Sequence, residues 1–171
     1  MAHPKETDMT LKETDMNSAS SQESDRQAFY DALMKILPLA PINKLYQPRN
    51  LVVRKGEASL EMPVLEQFFN GGHMLHGSVY FKGLDEAAWF AANSLADKFA
   101  FATTSFTNYI FRSVKTGNLQ VRARVVSATK NLVVVESDMF NDSDILVARG
   151  SGTFQPTPIP ITAVLEKPPS P

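Results

Sequence analysis

Apolar and polar residues alternate with several different periods along this chain, and the changes of period divide it into elements. In residues 25–37, Phe29, Leu33, Ile36 and Leu37 recur every three or four positions. Ser24 or Asp25 can cap the start and Pro38 ends the run, which predicts an amphipathic helix. A linker with Pro41 and Pro48 leads to two short strand-like runs, Asn50–Arg54 and Ala58–Pro63, around a turn at Lys55-Gly56-Glu57. From Gly77 to Leu95 the period returns to that of a helix. Tyr80, Leu84, Ala87, Ala88, Ala91 and Leu95 share a broad apolar face, with Lys82, Glu86 and Asn93 opposite. The many small residues there predict one long, largely buried helix.

Period-two patterns follow in Phe101–Phe111, Asn118–Ala128, Leu132–Phe140 and Ile145–Phe154. Leu119, Val121, Ala123 and Val125 alternate with Gln120, Arg122 and Arg124. Short polar links at Thr129-Lys130-Asn131 and Asn141-Asp142-Ser143-Asp144 predict an antiparallel meander. Two strands, a long helix and four further strands predict an α+β domain, with one helix packed across a curved antiparallel sheet.

The two ends lack these periods. Residues 1–24 are polar, and Lys5-Glu6-Thr7-Asp8-Met9 recurs as Lys12-Glu13-Thr14-Asp15-Met16, so a disordered tail is expected. Six of the eleven prolines lie at or beyond Pro156, which reads as an extended tail over 156–171. The folded domain is thus expected over 25–155, with its core over about 50–155.

Composition adds exclusions. With 43% hydrophobic and 20% charged residues, the 171-residue chain can bury a real core. A formal net charge of −1 without a basic block gives a nucleic-acid partner no electrostatic support. Zero cysteines exclude disulfides, a thiolate nucleophile and Cys-ligated metal. No apolar run approaches the roughly 20 residues that span a bilayer. No signal-peptide core or transit-type N-terminus is seen, so the expectation is a cytoplasmic protein without a membrane partner.

The stretch Gly71-Gly72-His73-Met74-Leu75-His76-Gly77-Ser78 holds two of the three histidines. They would share a face only in a helix, the glycines argue for a loop, and no further ligands are at hand, so no metal is expected. No G-x-S-x-G nucleophile elbow is present. A glycine-built entry to a helix does expose backbone amides, and a carbonyl oxygen aimed at Gly77 or Ser78 N–H would be polarised by the helix N-terminus. Two turns on, Asp85 falls at the edge of the apolar face beside Phe81, Trp89 and Ala92, where a carboxylate is partly desolvated and can serve as base or nucleophile. Plainer roles exist for each residue. The glycines can form a turn, His76 can cap backbone groups, His73 can be merely exposed, Asp85 can pair with Lys82, and Arg122 and Arg124 can form a solvated face.

The run from His76 to Ser94, "HGSVYFKGLDEAAWFAANS", resembles the signature of the hotdog-fold thioesterases, in the phenylacetate-pathway (PaaI-like) branch. The correspondence lies in His76-Gly77, Asp85 nine residues after the histidine, Asn93-Ser94, and Asn70 six residues before it. Ser78 stands where relatives carry a second glycine. The resemblance implies a single hotdog domain that hydrolyses an acyl thioester, typically acyl-CoA to free acid and CoA, without metal. No cofactor is implied beyond the coenzyme A of the substrate. The Gly77 amide would polarise the carbonyl and Asp85 would act as base or nucleophile. Asn70 would hold water or substrate, and His76 would orient the loop. Ser78 and a threonine of the next strand, Thr103 or Thr104, would meet the substrate. Trp89, with Phe81 and Tyr109, can line an acyl pocket or belong to the core.

The resemblance further implies a homodimer or a homotetramer of paired dimers, with Asp85 facing the neighbouring subunit's loop. A small-residue helix and an edge strand such as Ala58–Pro63 would each favour a partner. Two other readings share the fold. One is a non-catalytic domain that binds acyl thioesters or serves assembly. The other is an enoyl-thioester hydratase or dehydratase, whose F-P-G and M-P-G elements this chain lacks.

Overall fold

A computed structural model describes residues 22–166. In it, α1 (residues 22–36) leads through a 3-10 turn at Leu37–Leu39 to the short α2 (Asn43–Tyr46). Strands β1 (Arg49–Arg54) and β2 (Glu57–Pro63) then form a hairpin. A second 3-10 turn at Glu66–Phe68 enters the glycine-rich loop, and α3 (Gly77–Asn93) follows. After it come β3 (Phe99–Ile110), β4 (Asn118–Ala128), β5 (Val133–Phe140), β6 (Leu146–Pro160) and α4 (Ile161–Leu165). This is the expected α+β architecture. No helix among the described residues is long and apolar enough to cross a membrane.

The six strands form one antiparallel sheet in the order β1-β2-β4-β5-β6-β3. The expected meander therefore holds only from β4 to β6. β3 does not pair with β4; it crosses to the far side of β6, and β4 pairs with β2. A helix between β2 and β3 carries the chain over the sheet, so short links cannot set the neighbours of β3. The edges are β1 and β3, so Ala58–Pro63 in β2 is an interior strand, not an edge.

The sheet wraps α3, which touches β2 through β6. Val79, Leu84, Ala87, Ala88, Phe90 and Ala91 are buried, facing Leu60, Met62, Leu119, Val121, Met139 and Phe154 of the sheet. The close approach depends on Gly83. A side chain there would meet Met139 Cε at 2.7 Å and Met62 Cγ at 3.0 Å. Away from the sheet, α2 is tied to α3 by Asn43, whose Nδ2 donates to Leu37 O (2.7 Å) and to Glu86 Oε1 (2.8 Å).

Three expectations change at the ends. α1 already includes residues 22–24, and Pro38 lies in the 3-10 turn after it. The proline-rich segment is no loose tail from 156, because β6 runs on to Pro160 against β3, and Ile161 of α4 is buried. The prolines are tolerated because they lie in the part of β6 beyond its pairing with β5, where only β3 runs alongside. β5 stops pairing with β6 at Phe154, so beyond it one edge of β6 needs no donor. The repeat at 5–16 and residues 167–171 lie outside the described residues.

Candidate active site

The loop before α3 is built on Asn70. Its Oδ1 accepts from Gly72 N (2.9 Å) and Met74 N (3.3 Å), and its own N–H donates to Met74 O (2.8 Å). This local bonding closes the turn, and His73, at φ 55°, adopts the left-handed conformation. Both histidines are exposed, and no group of three metal-ligating side chains gathers among the described residues.

His76 is the N-cap of α3, with φ −67° and ψ 144°. Its Nδ1 accepts from Ser78 N (3.1 Å) and lies 2.9 Å from Ser78 Oγ. An imidazole thus takes the place of the usual Ser or Asp cap. The residue pattern offers the Gly77 and Ser78 amides alike as carbonyl donors, the family resemblance implies Gly77, and this cap distinguishes the two. Ser78 N–H is occupied by His76, while Gly77 N–H, the first amide of the helix, meets no acceptor among the described residues. Gly77 also lines a groove of about 300 Å³ with Asn70, Met74, Tyr80, Ile110 and Arg112. Arg112, which the sequence offers alongside Lys115 and Lys130 as a contact for a CoA phosphate, thus borders the Gly77 groove. It lies on the β3–β4 connection, which Tyr80 anchors by donating its hydroxyl to Arg112 O (3.2 Å) and accepting from Val114 N (3.0 Å).

Two turns along α3, Asp85 is half-buried and accepts a 2.9 Å hydrogen bond on Oδ1 from Thr103 Oγ1. That contact settles the register of the next strand. Thr104 projects from the other face and donates to Thr153 O (3.1 Å) on β6. Burial pushes the Asp85 carboxyl above the ordinary carboxylate range. The Thr103 hydroxyl pulls it back, the neighbouring Glu86 charge pushes it up, and Lys82 lowers it. Lys82 pairs with Glu86 one turn on, not with Asp85. Asp85 is therefore left without an ion pair among the described residues. Trp89, one turn beyond it and half-buried, stands edge-on to Phe90 with centroids 5.0 Å apart.

Asn93 does not sit on a polar face as its helical position predicted; it is fully buried. Its Oδ1 accepts from Phe101 N (2.9 Å), and its Nδ2 donates to Phe101 O (3.2 Å) and Trp89 O (3.0 Å). The amide stands in for a missing strand partner and seats β3 beside α3. Ser94 accepts from Gly56 N (2.7 Å) and donates to Ala91 O (2.7 Å), joining the helix end to the β1–β2 turn. Arg122 and Arg124 lie on the outer sheet face, paired with Asp144 and Glu136, as a solvated face would have them.

Residues 72–148 match the sequence profile of the Thioesterase superfamily. A protein of Sulfurisphaera tokodaii, named "Putative esterase", is 32% identical over 102 residues, which is 60% of this chain and 76% of that protein. The solved structure of a conserved protein from Pseudomonas aeruginosa superposes with a TM-score of 0.65 at 27% identity, covering 69% of this chain and 94% of that one. The E. coli PaaI protein of the phenylacetic acid degradation operon shares the fold, with a TM-score of 0.65 at 24% identity over 70% of this chain and 86% of that one. The profile match and the sequence relative place this chain in the thioesterase superfamily, and its helix wrapped by a six-stranded antiparallel sheet is a PaaI-like hotdog fold.

Proposed function

We propose that the protein hydrolyses an acyl thioester, with acyl-CoA as the substrate. The observation that carries this reading is the partly desolvated carboxylate of Asp85, without an ion pair among the described residues, on the same helix whose first amide, Gly77 N–H, meets no acceptor among them. Water attacks the thioester carbonyl carbon, the carbon–sulfur bond breaks, and the thiolate leaves and takes up a proton. The Gly77 amide and the positive end of α3 stabilise the developing oxyanion. Asp85 either accepts the proton of the attacking water or attacks the carbonyl itself, with the resulting anhydride then hydrolysed. Thr103 holds the carboxylate in place. Asn70 and His76 shape the loop that presents the amide, and Ser78 supports the cap instead of offering a second amide.

One helix cannot bring both groups to one substrate. Eight residues separate Gly77 from Asp85, about 12 Å along the helix axis. A carbonyl carbon and its oxygen are little more than 1 Å apart. The reading therefore has each site shared between two copies, Asp85 from one and the Gly77 amide from the other. The twelve-residue β3, an edge of the sheet with Thr104, Ser105, Thr107 and Tyr109 exposed, offers the second copy a strand to pair with.

Thiol release from a panel of short, long and aromatic acyl-CoA esters, run beside Asp85→Asn, tests the proposal. Wild type should turn over at least one ester, and Asp85→Asn should be slower by about 10²–10⁴-fold. Full activity in the variant overturns the assignment. Titration showing ester binding with no turnover across the panel would favour the non-catalytic reading. Repeated turnover in ¹⁸O-water tests direct attack, because label in the Asp85 carboxylate arises only from an anhydride that water opens at the aspartyl carbon.

A further inference from the structure

In a shared site, geometry fixes which residues meet between the copies. A two-fold axis that sets the partner's Gly77 opposite Asp85 also sets the partner's Asp85 opposite Gly77, with the two α3 helices antiparallel. The position midway between 77 and 85 then faces its own copy. That position is Phe81.

Three features of the single chain agree with this placement. Phe81 is 41% exposed, and it is the only residue of α3 among the exposed large hydrophobic side chains of the described residues. In a lone subunit this exposure leaves apolar ring surface in water that a partner could cover. Its inner side is already braced, for it stands edge-on to Phe106 of β3, with centroids 5.6 Å apart and planes at 83°. Phe106 is in turn held over bare β6 backbone. A Cβ at Gly152 would come within 2.4 Å of the Phe106 ring and one at Gly150 within 2.5 Å, so only glycines let the ring lie there. Charge complementarity points the same way, since the pairing sets each Asp85 carboxylate against the positive end of the partner's α3.

We propose that Phe81 of two copies meet on a molecular two-fold axis and, each backed by its own Phe106, form an aromatic partition between the two active sites. Each Asp85 then lies one helical turn, about 6 Å, from the axis. The partition closes each site on its axial side and keeps water from passing between the two. The placement rests on the shared-site reading above, and its partner is a second copy of this chain.

The chain contains no cysteine, so a single introduced thiol reports its own neighbour. Phe81→Cys should form a disulfide-linked dimer under mild oxidation, seen on a non-reducing gel and reversed by dithiothreitol. Trp89→Cys should not, since residues eight positions from the axis would be about 24 Å apart, far beyond the roughly 7 Å limit between Cα atoms of a disulfide. No cross-link at 81, or equal cross-linking at 89, overturns the proposal.

Charge exchange gives an independent measurement should the cysteine variant fold poorly. By sedimentation, Phe81→Asp and Phe81→Lys should each be monomeric where wild type is dimeric, and an equimolar mixture should restore the dimer. Dimers in both single variants, or no recovery on mixing, also overturn the placement. Thiol release by wild type and Asp85→Asn is scored separately. Active enzyme without the 81–81 link sinks the partition alone, and the link without turnover sinks the reaction alone.

Discussion

Asp85 is the residue on which the proposed chemistry turns, and its environment predicts a pH dependence with a definite sign. Burial raises its carboxyl above the ordinary value, so it stays protonated at pH values where an exposed aspartate is already charged. A base or nucleophile must be deprotonated. Activity is therefore lost as pH falls through the raised value, and the acidic limb of kcat/KM lies above the ordinary aspartate range. The Thr103 hydroxyl favours the charged form, so Thr103→Val should move that limb to still higher pH. It should also lower the plateau by roughly ten- to a hundredfold, the worth of a hydrogen bond to a charged group. A limb that stays in place would mean that the titrating group is not the carboxylate Thr103 touches. Asp85 stood out in the sequence because a carboxylate at the edge of an apolar helical face is unusual. Its threonine did not, because choosing Thr103 over Thr104 needs the pairing of β3 with β6 and the register shift between Thr103 and Ser105.

At the scale of the element, the Gly77 amide of α3 meets no acceptor among the described residues, and the start of the helix allows that amide to be removed cleanly. Proline is well tolerated at the first helical position, where no intrahelical acceptor is lost, and it favours an extended residue before it. His76 already has that conformation, at φ −67° and ψ 144°. Gly77→Pro should therefore keep the circular dichroism spectrum and melting temperature of wild type while kcat falls about 10²–10³-fold, the worth of one oxyanion donor. Unchanged kcat would remove Gly77 from the mechanism. The far end of α3 is a matter of stability. Asn93→Ala leaves both Phe101 backbone groups without their side-chain partner in a buried site, and should cost about 2–4 kcal/mol in chemical denaturation. A loss below about 1 kcal/mol would show that water or a shift of β3 replaces the amide.

At the scale of the whole molecule, a shared site predicts complementation. Asp85→Asn and Gly77→Pro should each be nearly inactive alone. Unfolded together and refolded at equal amounts, half of the random dimers are mixed, and each mixed dimer holds one site with both native groups and one with neither. The mixture should regain about a quarter of wild-type activity. Recovery no greater than the sum of the two separate variants would mean that both groups act within one chain.

The elements themselves were legible in the sequence because period and turn chemistry are local properties. The strands, the long helix and its capped start all follow from alternation, small residues and glycine placement, and the His76-to-Ser94 run marks that helix as the candidate site helix. What the sequence pattern left undecided depends on distant parts of the chain. The position of β3 beside β6 is one case, since it turns on which edge is free once α3 has crossed the sheet. The prolines of β6 are another; they look like breakers until the strand is seen to outrun β5. Asn93 is a third, polar by helical angle yet buried because Phe101 needs both its donor and its acceptor. The resemblance already points to the Gly77 amide, but only the folded structure shows His76 occupying Ser78 N–H while Gly77 N–H meets no acceptor among the described residues. Local periodicity specifies which residues form an element, while satisfying backbone polar groups across elements decides how those elements are arranged.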